Sequence, residues 1–140
     1  MAEQGMQGQQ AVISPIIFND KKGLASLIRD DAMKYAEQIV KHRGAKDKYT
    51  QIRKYYDELV RIQQQSILCN EESFTKYLPS IYIVAAKASY AVSKKTLTHS
   101  FGNFIEKNVK CVNTKEDLNS CIMLFEAILG YLKFYDNKDN

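Results

Sequence analysis

The residues of this chain best suited to chemistry are its cations and the tyrosines among them. Residues 41–61 hold seven Lys/Arg against three acids, and residues 87–110 hold five against Glu106 alone. The whole chain has a formal net charge of +4, so the remainder is acidic and the positive charge is segregated. In Asp47–Ile67, DKYTQIRKYYDELVRIQQQSI, helical spacing puts Ile52, Tyr55, Tyr56, Leu59, Val60, Ile62, Ser66 and Ile67 on one side. Arg53, Lys54 and Arg61 fall on the other, and Lys46 and Lys48 stand just before the helix, with Thr50 as its expected N-cap. A helix start with free N–H groups and nearby cations suits a phosphate.

The second basic segment repeats the theme. Ile83, Lys87, Tyr90 and Lys94 recur at helical spacing, with Lys95 next. Lysines around an aromatic ring can hold a phosphate backbone while the ring offers a stacking surface. The candidate binding set is therefore Lys46, Lys48, Gln51, Arg53, Lys54, Arg61, Lys87, Tyr90, Lys94 and Lys95. A plainer reading stands beside it. Arg53–Asp57, Lys54–Glu58 and Asp57–Arg61 are i,i+4 pairs, which contribute only tenths of a kcal/mol and commonly decorate a solvated face. Tyr90 would then be a half-buried packing residue.

Catalytic patterns are sparse. The two histidines, His42 and His99, make no H-E-x-x-H or zinc-finger spacing, and there is no Walker loop, G-x-S-x-G or G-x-G-x-x-G. Asp30-Asp31 and Glu71-Glu72 are adjacent pairs that diverge on a helix. The expectation is no catalytic residue, no metal site and no cofactor. His42 or His99 keeps open a small metal-independent ribonuclease; a surface histidine without a role is the commoner case.

Helices must position these groups. At 140 residues the chain is long enough for one domain with its own core. A flexible tail is expected through about Gln10. Val12, Ile13, Ile16, Ile17 and Phe18 then lie across the bundle or against a partner, giving a tail over 1–19 and a helical domain over 20–136. Asp20 is placed to cap a helix from Gly23 to Arg43, with Leu24, Leu27, Ile28, Ala32, Tyr35, Ala36 and Ile39 inward and Gly44 as its C′ residue. A short turn over Glu71–Tyr77 precedes a main helix from Pro79 to Lys95, where Pro suits the first turn. Its core face is Ile81, Val84, Ala85, Ala88, Ala91 and Val92, and the alanines imply close approach of a neighbour. A short helix, His99–Val109, follows with Phe101, Phe104 and Ile105 inward. Thr114 and Asp117 resemble a capping box for a last helix running to Asp136. No period-2 strand or hairpin signal appears, so the fold class is all-α, a single bundle of about five helices.

The last helix is apolar nearly all round. Leu118, Cys121, Ile122, Leu124, Phe125, Ile128, Leu129, Leu132 and Tyr135 make one face, and Met123, Ala127, Gly130 and Phe134 another. Such a helix is either enclosed at the centre of the bundle or has its back against a partner. The second set is the expected partner interface, with Gly130 permitting close approach of another backbone. Cys69, Cys111 and Cys121 include no C-x-x-C pair and are odd in number, which fits a reducing cytosol. Cys121 on an apolar face reads as a buried free thiol. No signal peptide or membrane-spanning run is visible.

Three stretches carry a resemblance. YTQIRKYYDELVRI resembles the Thr- and Arg-bearing helix of the small subunit of type III-A CRISPR effector complexes, the Csm complexes. Leu78–Lys94, LPSIYIVAAKASYAVSK, is similar to that family's central helix, although Lys87 and Lys94 stand where an arginine is often found. Cys121–Tyr135, CIMLFEAILGYLKFY, resembles its closing helix, with Phe125, Glu126, Ala127 and Tyr131 in register. The resemblance covers roughly Lys48–Tyr135. It implies a cytoplasmic, non-catalytic RNA-binding subunit of an antiviral complex, stacked in copies along a filament of crRNA-bearing backbone subunits. Its implied partners are target RNA, crRNA, the backbone and large subunits and further copies of itself, with no membrane. By position it carries RNA contact onto Arg53, Lys48, Gln51 and Lys54, and further onto Lys87, Tyr90, Lys94 and Lys95. A helical adaptor whose basic helix meets an acidic protein remains the rival reading.

Overall fold

The computed structural model describes residues 13–139; the expected tail through Gln10, and Val12, lie outside the described residues. Counting joined pieces once, the described residues form five helices and no strand, the all-α bundle that the periodicities predict. Helix α1 starts as Leu24–Ser26, widens into a π-helical turn over Leu27–Asp31 and continues as Ala32–His42. Helix α2 is Tyr49–Gln65. A turn of α-helix, Glu71–Phe74, and a 3₁₀ turn, Thr75–Tyr77, lead directly into α3, Leu78–Ser93. Helix α4 is His99–Lys110 and α5 is Lys115–Asp139.

Several helix ends differ from the sequence expectation. The N-cap of α1 is Gly23, and Asp20 instead accepts the Lys22 backbone N–H at 3.0 Å. The N-cap of α2 is Lys48, which supplies no side-chain cap, so Thr50 lies inside the first turn. Helix α2 ends at Gln65, leaving Ile67 exposed in the following turn rather than on the core face, with Leu68 exposed beside it. Other ends are as expected. Gly44 has φ +61°, the left-handed conformation of a C′ residue. Pro79 sits in the first turn of α3. Thr114 and Asp117 make a reciprocal capping box, with Asp117 N–H donating to Thr114 Oγ1 at 3.0 Å and Thr114 N–H to Asp117 Oδ2 at 3.2 Å.

The π turn keeps the stripe of α1 on the core. Ala32 N–H donates to the Leu27 carbonyl, five residues back. In an ordinary α-helix a five-residue step swings a side chain about 140° round the axis. The wider turn undoes most of that swing, so Leu27 and Ala32 are both buried.

Helix α5 packs between α1 and α2, α3 packs along α4, and α2 also reaches α3. An aromatic cluster joins α1, α4 and α5. Phe104 meets Tyr35, Phe101 and Phe125 at centroid distances of 5.4, 5.4 and 5.6 Å. Such pairs contribute about 1 kcal/mol each beyond their burial. Cys121 is buried as expected, and burial pushes its thiol up to about 12. Ala85 and Ala88 of α3 are buried against the close neighbour their size implies.

Before α1 the chain crosses α4. Asn108 is buried, and its Oδ1 accepts the Phe18 backbone N–H at 2.9 Å while its Nδ2 donates to the Ile16 carbonyl at 2.9 Å. Ser100 Oγ accepts the Ile13 N–H at 2.8 Å, and Phe18 is buried in the core.

Asp47 ties the two loops together. It is fully buried with φ +55°, a conformation uncommon outside Gly, Asn and Asp. Its backbone N–H donates to the Thr96 carbonyl at 3.0 Å. Its carboxylate accepts the Thr98 N–H at 2.8 Å and the Thr98 hydroxyl at 2.6 Å. Thr98 in turn caps α4, its Oγ1 accepting the Phe101 N–H at 3.1 Å. Burial raises the Asp47 pKa, and the two Thr98 hydrogen bonds and Arg43 hold it back.

Replacing Asp47 with Ala leaves the Thr98 donors unsatisfied and should cost about 2 kcal/mol in urea unfolding. The raised native pKa means the folded chain keeps this proton where the unfolded chain has lost it. Its stabilising effect is therefore greatest in acid and fades as pH rises through the native pKa. Wild type should gain on Asp47→Asn as the pH is lowered from neutrality toward the ordinary carboxylate range; a constant difference would refute the assignment. A Cβ on Gly102 of α4 would stand 2.4 Å from Val92 Cγ2 of α3. Gly102→Ala should destabilise by about 1–3 kcal/mol through overpacking, and an unchanged denaturation midpoint would show that α3 and α4 can part freely.

Candidate nucleic-acid interface

Helix α2 presents two polar faces, and they go to different neighbours. Gln51, Lys54, Tyr55 and Glu58 turn toward α3, where Val84, Lys87, Tyr90 and Ala91 meet them. Lys94 and Thr96, from the turn after α3, complete a groove of about 390 Å³. Five of the ten residues that the sequence points to thus come together: Gln51, Lys54, Lys87, Tyr90 and Lys94. Val84 is buried and gives the groove an apolar floor, while Tyr90 is 63% exposed. Lys94 Nζ lies 5.3 Å from the centre of the Tyr90 ring, within cation–π range.

Three lysines in the groove face one carboxylate. Arg61 Nη2 donates to Glu58 Oε2 at 2.6 Å, and that bond, with Lys87 acting at longer range, holds the Glu58 pKa below its usual value. Glu58 therefore stays ionised at neutral pH. The i,i+4 spacing predicts an Arg61–Asp57 pair; Arg61 pairs instead with Glu58 and bears on the groove only through it. Among the described residues Lys54 has no carboxylate within ion-pair distance, so the expected Lys54–Glu58 pair is not formed.

Arg53 lies on the other face. Its Nε donates to Asp57 at 3.2 Å, its Nη1 donates to the Tyr49 hydroxyl at 3.1 Å, and its guanidinium stands 5.5 Å from the Tyr56 ring centre. Tyr56 hydroxyl donates to Glu126 of α5 at 3.3 Å, and Lys133 of α5 covers the Tyr49 ring at 4.8 Å. Arg53 thus belongs to the α2–α5 side. Lys48 stands at the start of α2 and Lys46 in the loop before it. Lys95 follows α3 with φ +66°. Asp47, between Lys46 and Lys48, bonds to Thr96 and Thr98 just past Lys95. The two basic loops are therefore held side by side.

Glu58, Tyr55 and Thr96 also line the groove, although sequence reasoning does not single them out as site residues. The signal for the first two is the register: Gln51, Lys54, Tyr55 and Glu58 fall on one helical face. Thr96 and the Asp47 bonds are contacts between distant segments and leave no local pattern.

A separate apolar surface lies on α1 and α5. Met123 and Phe134 are 53% and 55% exposed. Ala127, Gly130 and Phe134, with Ile28, Met33 and Tyr131, line a shallow hollow of about 460 Å³. A Cβ on Gly130 would meet nothing within 4 Å. Among the described residues nothing uses the close approach that Gly130 permits, and α5 is not enclosed on all sides.

His42 and His99 are exposed, at the end of α1 and the start of α4. Among the described residues no His/Cys/Asp/Glu group has metal-binding geometry, and no helix is long and apolar enough to cross a membrane. Neither the curated proteins nor the solved structures contain a match to the chain. A family model described as Csm2 Type III-A matches residues 26–138, from just before the π turn of α1 to the last turn of α5. That span takes in α1, which the three resembling stretches did not reach. With most of its length and nearly all of its five helices inside the match, the chain belongs to the Csm2 Type III-A family.

Proposed function

We propose that this chain is a non-catalytic, RNA-binding subunit of a type III-A Csm complex, holding target RNA and crRNA by their backbone. Family membership places it among Csm complex subunits. The observation that carries the RNA reading is the convergence of Lys54, Lys87 and Lys94 on one groove beside an exposed tyrosine. Lys46, Lys48 and Lys95 extend the positive surface along the loops that Asp47 joins. Arg53 and Arg61 serve a second role, orienting neighbours on α2. Sequence would be read by guide–target pairing, while the protein holds phosphates, as in other RNA-guided effectors.

The apolar surface of α5 supports the other half of this reading, a contact with protein. Met123, Ala127, Gly130 and Phe134 form the interface to a further copy or to a backbone or large subunit. Exposed patches of this kind, rimmed by polar residues, mark protein contacts.

Lys54→Ala, Lys87→Ala and Lys94→Ala together should weaken single-stranded RNA binding and reduce its salt slope by about 2, since each phosphate left without its lysine takes away roughly 0.7. The residues are exposed or lie on the groove rim, so each change should alter stability by no more than about 0.5 kcal/mol. Unchanged slope and affinity in filter binding across a salt series would remove the groove from the RNA site. Phe134→Asp should leave the helical circular dichroism spectrum intact and abolish co-purification with the other complex subunits. Normal assembly by the folded variant would clear the patch of that role.

A further inference from the structure

We infer that the groove between α2 and α3 is a subsite for one unpaired nucleotide, its base against Tyr90 and its phosphates on the lysines at the rim. This rests on the RNA reading above and specifies what part of the RNA the groove takes. Size is the first argument. A space of about 390 Å³ lies at the small-ligand end of binding pockets. Protein reads duplex RNA across a wide, shallow minor groove, which a cleft this small cannot receive.

The second argument is the order of groups along α3. Lys87 and Lys94 are seven residues apart, two helical turns or about 10 Å. Tyr90 lies between them on the same face. A base resting on that ring has one lysine on each side for the phosphates that flank it. Lys54 reaches the same space from α2.

The third argument is polarity. Glu58 lines the groove as an ionised carboxylate, tied to Arg61 through one oxygen at 2.6 Å. It repels phosphate from the interior and leaves an acceptor there for a base edge. Val84 and Ala91 give the inner wall an apolar surface. Phosphate outside and base inside is the arrangement these charges favour.

Lys94 completes the device. Its ammonium rests over the Tyr90 ring. An arriving phosphate draws the ammonium off the ring and frees that face for the base. Cation–π contact in the free protein is exchanged for an ion contact and a stacked base.

The test uses the full chain, a fluorescein-labelled single-stranded RNA and the same RNA annealed to its complement. Tyr90 is exposed, so Tyr90→Ala should fold, and circular dichroism checks it. Tyr90→Ala should weaken single-strand binding about tenfold, leave the salt slope unchanged and leave duplex binding unchanged. Tyr90→Phe should restore the affinity, since the ring rather than the hydroxyl is required. A 2-aminopurine placed in the strand should be quenched by wild type and not by Tyr90→Ala. Loss of binding in the lysine variants with Tyr90→Ala unaffected would overturn the nucleotide subsite and keep the RNA-binding reading. An equal effect of Tyr90→Ala on duplex and single strand would also overturn the subsite. No binding of wild type to either RNA would overturn both.

Discussion

A single buried carboxylate decides how the charged parts of this molecule are arranged. Asp47 lies in the loop between α1 and α2, and its partner Thr98 lies in the loop between α3 and α4. Helices α2 and α3 otherwise touch along part of their length only. The carboxylate fixes the entry to α2 beside the exit from α3 and also orients the residue that caps α4. Together with the Asp47 N–H bond to the Thr96 carbonyl, it holds Lys46 and Lys48 on one loop beside Lys94 and Lys95 on the other. Like charges brought together repel one another, and the buried hydrogen bonds of Asp47 are what oppose that separation. The cost is a desolvated acid, visible in its raised pKa.

Most of the fold is legible in the sequence because each helix buries a stripe with the period of its own backbone. Tyr35, Ala36 and Ile39 of α1 are buried where the 3.6-residue spacing puts them, as are Ile81, Val84, Ala85 and Ala88 of α3. The caps are less legible. Thr50 has the chemistry of a cap, yet the helix starts two residues earlier, with Lys48 at the N-cap, where Asp47 is drawn down to Thr96 and Thr98. Helix α2 then begins at Tyr49, and Thr50 falls inside it. The π turn of α1 leaves no trace in the apolar pattern, since its effect is to preserve that pattern through a local change of winding.

The candidate site is legible in its residue types and only half legible in its grouping. Arg53 and Lys54 are neighbours in sequence and look like one cationic pair. On a helix they are about 100° apart, which is enough to send Lys54 to α3 and Arg53 to Tyr49, Tyr56 and Asp57. Which of two adjacent cations meets the next helix depends on where that helix packs, and packing is not written in the local pattern. Tyr90 falls on the outer stripe of α3 as its spacing predicts, because the alternative stripe of alanines is so plainly the inner one. Glu58 looks in sequence like an ion-pair partner and nothing more. Its position inside the groove follows from its register with Gln51 and Lys54, and its charge matters there because it acts against three lysines.

The two exposed features fall on different helix pairs, and this follows from how α5 is used. Its inner face closes the core, with Phe125 among the aromatics and Leu124, Ile128 and Leu132 fully buried. Its outer face, Met123 to Phe134, meets little else among the described residues beyond the edge of α1. The cationic groove is built from α2 and α3, and α5 packs on α2 along the side away from it. An occupant of the apolar face therefore leaves the rim lysines uncovered. Arg53, Tyr56 and Glu126 lie along the seam between the two regions. The Tyr56–Glu126 bond gives α2 a polar attachment to α5 in addition to its buried Ile52, Leu59 and Ile62. The bonds of Arg53 to Tyr49 and Asp57 stay within α2 and lie on this side rather than in the groove.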